Sequence, residues 1–440
     1  MAALCGLFYG SNKMVTEVDV QFFSHLNGLT LNNEWGEMIR MLDKTLVNGI
    51  ELPAITAASI DVDGSVHLTF FANHKALILQ VVELSGFAPS VLNQRYRVKG
   101  VPSANQLILK PKNPITETAI ITTGGAILPP LGYEIVFRDT GDVKRVYRAK
   151  NATEKHPYIR VDETLSDGTN TYNSTYAKYA MVGLLEHMEH IDDYLNPDVH
   201  QIPVKSGELD KNWKVTGTGS TVKRGWSRWY WSRNSETLGY TNDNSAPPAG
   251  NRGFTLVGDS DAFYFLVSMV SSTNGLKGKV LNGAGIYIDP DDNTLTPPWF
   301  LMSTVADMAA NFDFSFFYSG STYNGILPLS YSEQHSYFYI PKKTLDGLTK
   351  AQTLARPILF NYASGASTIY NKGANSFMNV PFGDSDGYLR GSLPHILYSC
   401  SAISVNETTP VLSNTSMYVT EAAFTVNLGG GYSFYLGEFE

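Results

Sequence analysis

Two neighbouring stretches decide how this chain reads: GWSRWYWSRN at 225–234 and GFTLVGDSDAFYFLV at 253–267. In the second, Phe254, Leu256 and Val257 lead into Gly258–Asp261, and Phe263–Val267 follow. Aromatic and β-branched residues on both sides of a turn-forming cluster predict a hairpin. The first stretch crowds Trp226, Trp229, Tyr230 and Trp231 among Arg224, Arg228 and Arg233. Aromatic side chains carry a large apolar area on stiff frames, so such a run anchors a core or an interface. No catalytic set accompanies either stretch. Together they predict the core of a mainly β, non-enzymatic assembly subunit.

Composition agrees. The chain has 440 residues, enough for two or three domains. Only 17% of residues are charged, while aromatics reach 12%, with 25 Tyr and 22 Phe beside 38 Gly. Few charges with many Tyr, Gly, Ser, Thr and Asn suit sheets joined by tight turns and broad contact surfaces. The formal net charge of -8 gives no basic face for nucleic acid. Cys5 and Cys400 form neither a disulfide framework nor a metal spacing, which favours assembly in a reducing cytosol. No apolar run approaches a membrane span, and Met1–Gly10 lacks the basic lead-in of a signal peptide.

Working outward, the chain divides into an N-terminal arm and helix (1–50), a small β module (51–150) and a large β-rich domain (151–440). The expected fold class is mainly β: a small N-terminal β-barrel or sandwich module with one helix, then a larger β-sandwich-like domain. Residues 1–31 read as an arm against a neighbouring subunit or as a partly ordered terminus. Asn32–Val47 is the expected helix, capped by Asn32 and Asn33, with Trp35, Ile39, Leu42 and Leu46 on one face and Gly49 as the stop. From Ile55 the apolar period switches to two. A three-residue loop, Asp63-Gly64-Ser65, would set Val62 opposite Val66 and Ile60 opposite Leu68. Further strands are expected at Leu77–Leu84, Tyr96–Val101, Leu107–Lys110 and Ala119–Thr122, with Tyr133–Phe137 and Lys144–Arg148 as a closing hairpin. Residues 149–175 read as a boundary or long connection containing a strand at Tyr158–Asp162. Tyr176–Leu195 fits helical and extended periods equally well. Beyond residue 200 short strands are expected, among them Ile286–Ile288, Phe312–Tyr318, Ser336–Ile340, Pro357–Tyr362, Ser416–Leu428 and Tyr432–Tyr435.

Several clusters could carry chemistry, and each has a plainer explanation. EHMEHIDD at 186–193 sets His187 and His190 three apart, without the spacing of a zinc protease or a third ligand. DPDDN at 289–293 starts like a calcium loop, but Thr294 and Phe300 stand where Gly and Glu are needed. Gly258–Asp261 is no nucleophile elbow, and no base is matched to Ser260. No metal or cofactor is expected. The aromatic-arginine run could stack sugars or single strands, but core or interface packing weighs more in an acidic chain. Trp226, Arg228, Trp229, Tyr230 and Trp231 are the candidate interface or receptor contacts.

Several stretches, in order, carry a resemblance. MIRMLDKTLVNG (38–49), VVELSGFAPSVLNQRYRVKGV (81–101), LGYEIVFRDTGDVKRVYR (131–148), Tyr158–Asp162, Lys178–Asp193, Trp229–Ser232, Phe254–Leu266 and GYLRGSLP (387–394) resemble a family of virion structural proteins of tailed bacteriophages. The resemblance covers most of the chain; 200–224 and 270–380 depart from it. It implies a strand followed by a loop at Lys178–Asp193. Chains of this size resemble tail proteins of short-tailed phages, including the non-contractile sheath of the schitovirus group. The resemblance therefore implies a virion tail protein: a sheath or collar subunit in a homo-oligomeric ring, six-fold in the simplest case, around the tail tube. Its partners would be itself, the tail tube and collar proteins, and a host outer-membrane receptor, with no nucleic acid. The alternatives are a receptor- or glycan-binding tail module, or a capsid decoration protein.

Overall fold

A computed structural model describes residues 18–164, 176–216, 223–225, 227–234, 245–268, 270, 279–291, 296–305, 338–343, 351–357, 379, 381–399, 407–422 and 431–439. Trp226, the expected strand Phe312–Tyr318, and parts of the arm and of the strands expected at Ser336–Ile340, Pro357–Tyr362 and Ser416–Leu428 lie outside these residues.

The fold is mainly β, as expected. Four antiparallel sheets of nine, seven, seven and four strands carry it, with a two-stranded ribbon, one helical segment near the N-terminus, and two curled half-barrels. The expected hairpin is its centre. Phe254–Gly258 pairs with Ala262–Ser268 in the register Phe254↔Val267 to Gly258↔Phe263. Ala262–Ser268 pairs on its other side with Lys279–Ile286, so it is an inner strand of the nine-stranded sheet.

That strand faces two cores. Phe263, Phe265 and Val267 enter one cluster with the helix and both seven-stranded sheets. Ala262, Tyr264 and Leu266 enter a second, closed by Met417, Val419, Phe434 and Leu436 of the four-stranded sheet. Alternate side chains leave opposite faces of a strand. The unbroken apolar run FYFLV therefore marks a strand covered on both sides.

The described part of the arm, from residue 18, is tied to its own chain. Gln21–Ser24 pairs with Phe254–Gly258 as the outer strand of the nine-stranded sheet. Phe22 enters one core and Phe23 the other.

The helix begins later than the asparagines suggest. Glu37–Leu42 is α-helical and continues through Asp43–Asn48 as a wider π-helical turn, ending at Gly49. Gly36, at φ 84°, occupies the N-cap without a side-chain cap. Asn32 and Asn33 are used elsewhere: the Asn32 carbonyl accepts from Trp231 Nε1, and Asn33 Nδ2 donates to the Pro247 carbonyl. The cap comes from the distant Glu163 carboxylate, which accepts the N–H groups of Gly36 and Ile39. Ile39, Leu42 and Leu46 are buried as expected, and Trp35 is partly buried against the same core.

The first hairpin is in a different register. Ile60 pairs with Val66 and Ala58 with Leu68, and Val62 is fully exposed at the tip. Asp61 is the reason. Its carboxylate accepts the N–H groups of Asp63 and Ser65, and its own N–H bonds the Ser65 carbonyl, closing a wider turn. The slide is two positions, so Val66, Leu68 and Phe70 keep the inner face.

Other boundaries shift. The strand expected at Leu77–Leu84 is Val81–Ser85, and that at Ile286–Ile288 is Lys279–Ile286. Ala119–Thr122 is not a strand: its one bridge joins Thr122 to Ala88, and the pairing strand is Gly125–Leu128. Tyr133–Arg138 and Lys144–Ala149 form the expected hairpin. It pairs onward with Tyr158–Asp162, whose own partner is Lys178–Leu185, so this sheet continues across residue 150. Lys178–Leu185 is extended and buried throughout, which resolves the ambiguous segment as a strand followed by a loop.

Candidate functional site

The aromatic-arginine run becomes strand Ser227–Ser232, buried along its whole length between Lys178–Leu185 and Thr304–Val305. Strand alternation sorts its residues. Trp229 and Trp231 face the large core, where Trp229 meets Phe263 edge-on at 5.8 Å and Trp231 meets Trp35 at 5.9 Å. Their indole N–H groups donate to the carbonyls of Met302 and Asn32. Arg228 and Tyr230 leave the opposite face. The Arg228 guanidinium donates to Tyr230 Oη at 3.0 Å and lies over the Tyr179 ring at 4.1 Å. Arg224 also lies over the Tyr179 ring, at 4.7 Å, and Arg233 lies over Tyr230. Arg224 donates to the Tyr179 carbonyl and Arg228 to the Gly225 carbonyl, while each guanidinium lies over a ring. Arg228, Trp229, Tyr230 and Trp231 are thus interior residues, and the chain offers none of them to a sugar or receptor at its surface.

The Gly-Asp-Ser-Asp turn is a junction that sequence reasoning did not resolve. Asp259 Oδ1 accepts the N–H groups of Asp261 and Ala262, which shapes the turn. Asp259 Oδ2 pairs with His395 Nε2 at 3.0 Å, and Asp261 Oδ1 pairs with His156 Nε2 at 3.0 Å. His156 Nδ1 accepts the Thr153 N–H, so its Nε2 carries the proton given to Asp261. The turn thereby holds the loop before Tyr158–Asp162 on one side and the segment before Ile396–Ser399 on the other. Burial alone would lower the His395 imidazole, but the Asp259 carboxylate outweighs it and holds the group above its ordinary value. Burial would likewise raise Asp259, yet His395 and the two backbone donors hold its carboxyl low. Both imidazoles are engaged with carboxylates, and Ser260 has neither as a base. The signal was a spatial one: His156 and His395 are 105 and 136 positions from their aspartates.

The remaining clusters are accounted for locally. His187 and His190 lie beyond the end of the strand, largely exposed, beside Glu189 and Asp193. Asp192 accepts from Arg160 Nη2, whose guanidinium also holds Asp162 and covers the Trp213 ring. Asp289 accepts the Asp291 N–H, and Asp291 pairs with Lys343. Among the described residues no three His, Cys, Asp or Glu side chains are grouped to hold a metal ion.

The surface differs in character from these interiors. Thr409–Ser413 is the outer strand of the four-stranded sheet and pairs, among the described residues, only with Ser416–Ala422. Val411 and Leu412 on it are exposed. Among the described residues Ile55–Ile60 is likewise the outer strand of one seven-stranded sheet. Such edges offer unpaired backbone groups to a further strand. No protein-family model matches this chain, and no curated protein matches it.

Proposed function

We propose that this chain is a structural subunit of a tailed-bacteriophage virion, a sheath or collar protein that forms a closed ring around the tail tube. The observation that carries the proposal is the combination of a heavily buried interior with Thr409–Ser413 and Ile55–Ile60, each of which ends its sheet among the described residues. Among the described residues the clustered titratable side chains are engaged with one another, and the surface presents pairing edges, one with exposed apolar residues. Identical copies related by rotation would meet through heterologous contacts that close on themselves. The ordered resemblance of eight stretches to phage virion proteins supports the same reading. Burial of Trp229 and Trp231 weighs against a glycan module built on them.

The test is gold-labelled antibody imaging of purified particles together with the mass of the isolated protein in solution. Label along the tail and a ring-sized assembly support the proposal. Label confined to the head would make it a decoration protein. Absence from particles would remove the virion assignment.

A further inference from the structure

Lys279 opens strand Lys279–Ile286 of the nine-stranded sheet, and Glu421 lies near the end of Ser416–Ala422 in the four-stranded sheet. Both side chains are buried, at 1% and 2% exposure, and Lys279 Nζ is in direct contact with Glu421 Oε1. The other carboxyl oxygen, Oε2, accepts the Thr255 hydroxyl at 2.5 Å, and Thr255 in turn meets the Thr408 hydroxyl. The carboxyl group is therefore gripped with one oxygen on an amine and the other on a hydroxyl donor.

Taking an ammonium and a carboxylate out of water is costly, and a neutral amine beside a neutral acid avoids that cost. Burial pushes the Lys279 ammonium down to about 7, with the charge of Glu407 acting in the opposite sense. The two groups touch in a dry interior, and passing one proton from the ammonium to the carboxylate gives an amine and an acid, the reactants of amide formation, already in place. Fixed contact replaces the collision step, and exclusion of water disfavours the reverse hydrolysis.

We propose that Lys279 and Glu421 are a modification site, joined by an intramolecular isopeptide bond between Lys279 Nζ and the side-chain carboxyl carbon of Glu421. The lone pair of neutral Nζ attacks Cδ of the protonated acid, forming the N–C bond. The Thr255 hydroxyl stabilises the charge that develops on Oε2. Oε1, in contact with Nζ, takes one of its protons, the Cδ–Oε1 bond breaks, and one water leaves. Amine and acid become amide and water, with no oxidant, reductant or cofactor. The product is a covalent strut between the nine- and four-stranded sheets, joining positions 142 apart.

The experiment is intact mass measurement of the full-length protein under denaturing conditions, followed by tryptic mapping. The expected mass is one water below that of the sequence. Trypsin should fail to cut after Lys279, and fragmentation should read a branched peptide joining the segments of Lys279 and Glu421. Lys279→Arg, which removes the nucleophile, should restore the missing water. Should that variant fail to fold, the wild-type map decides alone. A full sequence mass with two linear peptides overturns the proposal, as does a water loss that maps to any other residue.

Discussion

The carboxylate of Glu163 accepts the backbone N–H of Ile39 at 2.8 Å, across 124 positions of the chain. It also accepts the Gly36 N–H, and so caps the helix that the local asparagines leave uncapped. A long-range cap of this kind makes the helix conditional on the sheet strand Tyr158–Asp162, which Glu163 directly follows.

That cap has a pH signature. Burial raises the Glu163 carboxyl to about 7, against the pull of the two backbone donors and of Arg224 and Arg40. Its value in the folded chain is above that in the unfolded chain. Its contribution is therefore most favourable below the unfolded value and is lost as pH rises through about 7. The loss amounts to roughly 3 kcal/mol across that window. Glu163→Gln should flatten the slope of stability between about pH 5 and about pH 7 in denaturant titrations. An unchanged slope would place the titrating group elsewhere.

The Asp259–His395 pair works in a different window. The His395 value is raised, so its stabilisation is complete below the ordinary histidine value and fades as pH rises through the folded one. The Asp259 value is lowered, so its stabilisation is present above the ordinary carboxyl value and fades in acid. Their overlap lies between about pH 4 and about pH 6.5. There His395→Gln should cost the most, about 2 kcal/mol for a lost charged hydrogen bond. Thermal unfolding of both proteins across pH checks this, and a difference that peaks in alkali would refute it.

Arg97 fastens the small module to both chain ends. Its guanidinium donates to the carbonyls of Val20, Leu79 and Leu436 from a fully buried position. Arg97→Met should leave those acceptors without their charged donor and cost about 3 kcal/mol. Arg97→Lys should not recover most of it, because a single ammonium cannot reproduce the planar fork. Equal stability of wild type and the lysine variant in denaturant would contradict this.

Trp229→Ala and Trp231→Ala should each destabilise by about 3 to 5 kcal/mol, as large cavities in a dense core do. The expected readout is loss of soluble folded protein, seen by near-ultraviolet circular dichroism. Folded variants that bind no receptor would instead restore the surface role for this run.

The outer strand Thr409–Ser413 should behave in the opposite way. Val411→Lys with Leu412→Lys should change stability by no more than about 0.5 kcal/mol, as exposed sites do. Charges on an edge discourage a further strand. Sedimentation should show the double variant as a folded protein with its assembly weakened. Unaltered assembly would move the ring contact to another surface.

Much of the fold is legible in the chain. The hairpin at 254–268, the alternating strands of the small module and the stop at Gly49 follow from periodicity and turn chemistry, which act over a few residues. The first hairpin and the helix start depart from the local pattern for different reasons. A side chain that can bond locally, such as Asp61, widened a turn. Side chains that could have capped locally, Asn32 and Asn33, were displaced by a buried carboxylate from far along the chain.

The sequence by itself determined a β-rich chain whose aromatic runs pack in a core or an interface, because strand periodicity and apolar area are local and additive. Only the tertiary structure decided which buried polar groups meet: Glu163 with the helix start, Asp259 with His395, and Lys279 with Glu421. Burial makes an unpartnered polar group costly to keep, so each is held against a partner. Which partner it finds depends on how the sheets are laid against one another, and no local pattern encodes that.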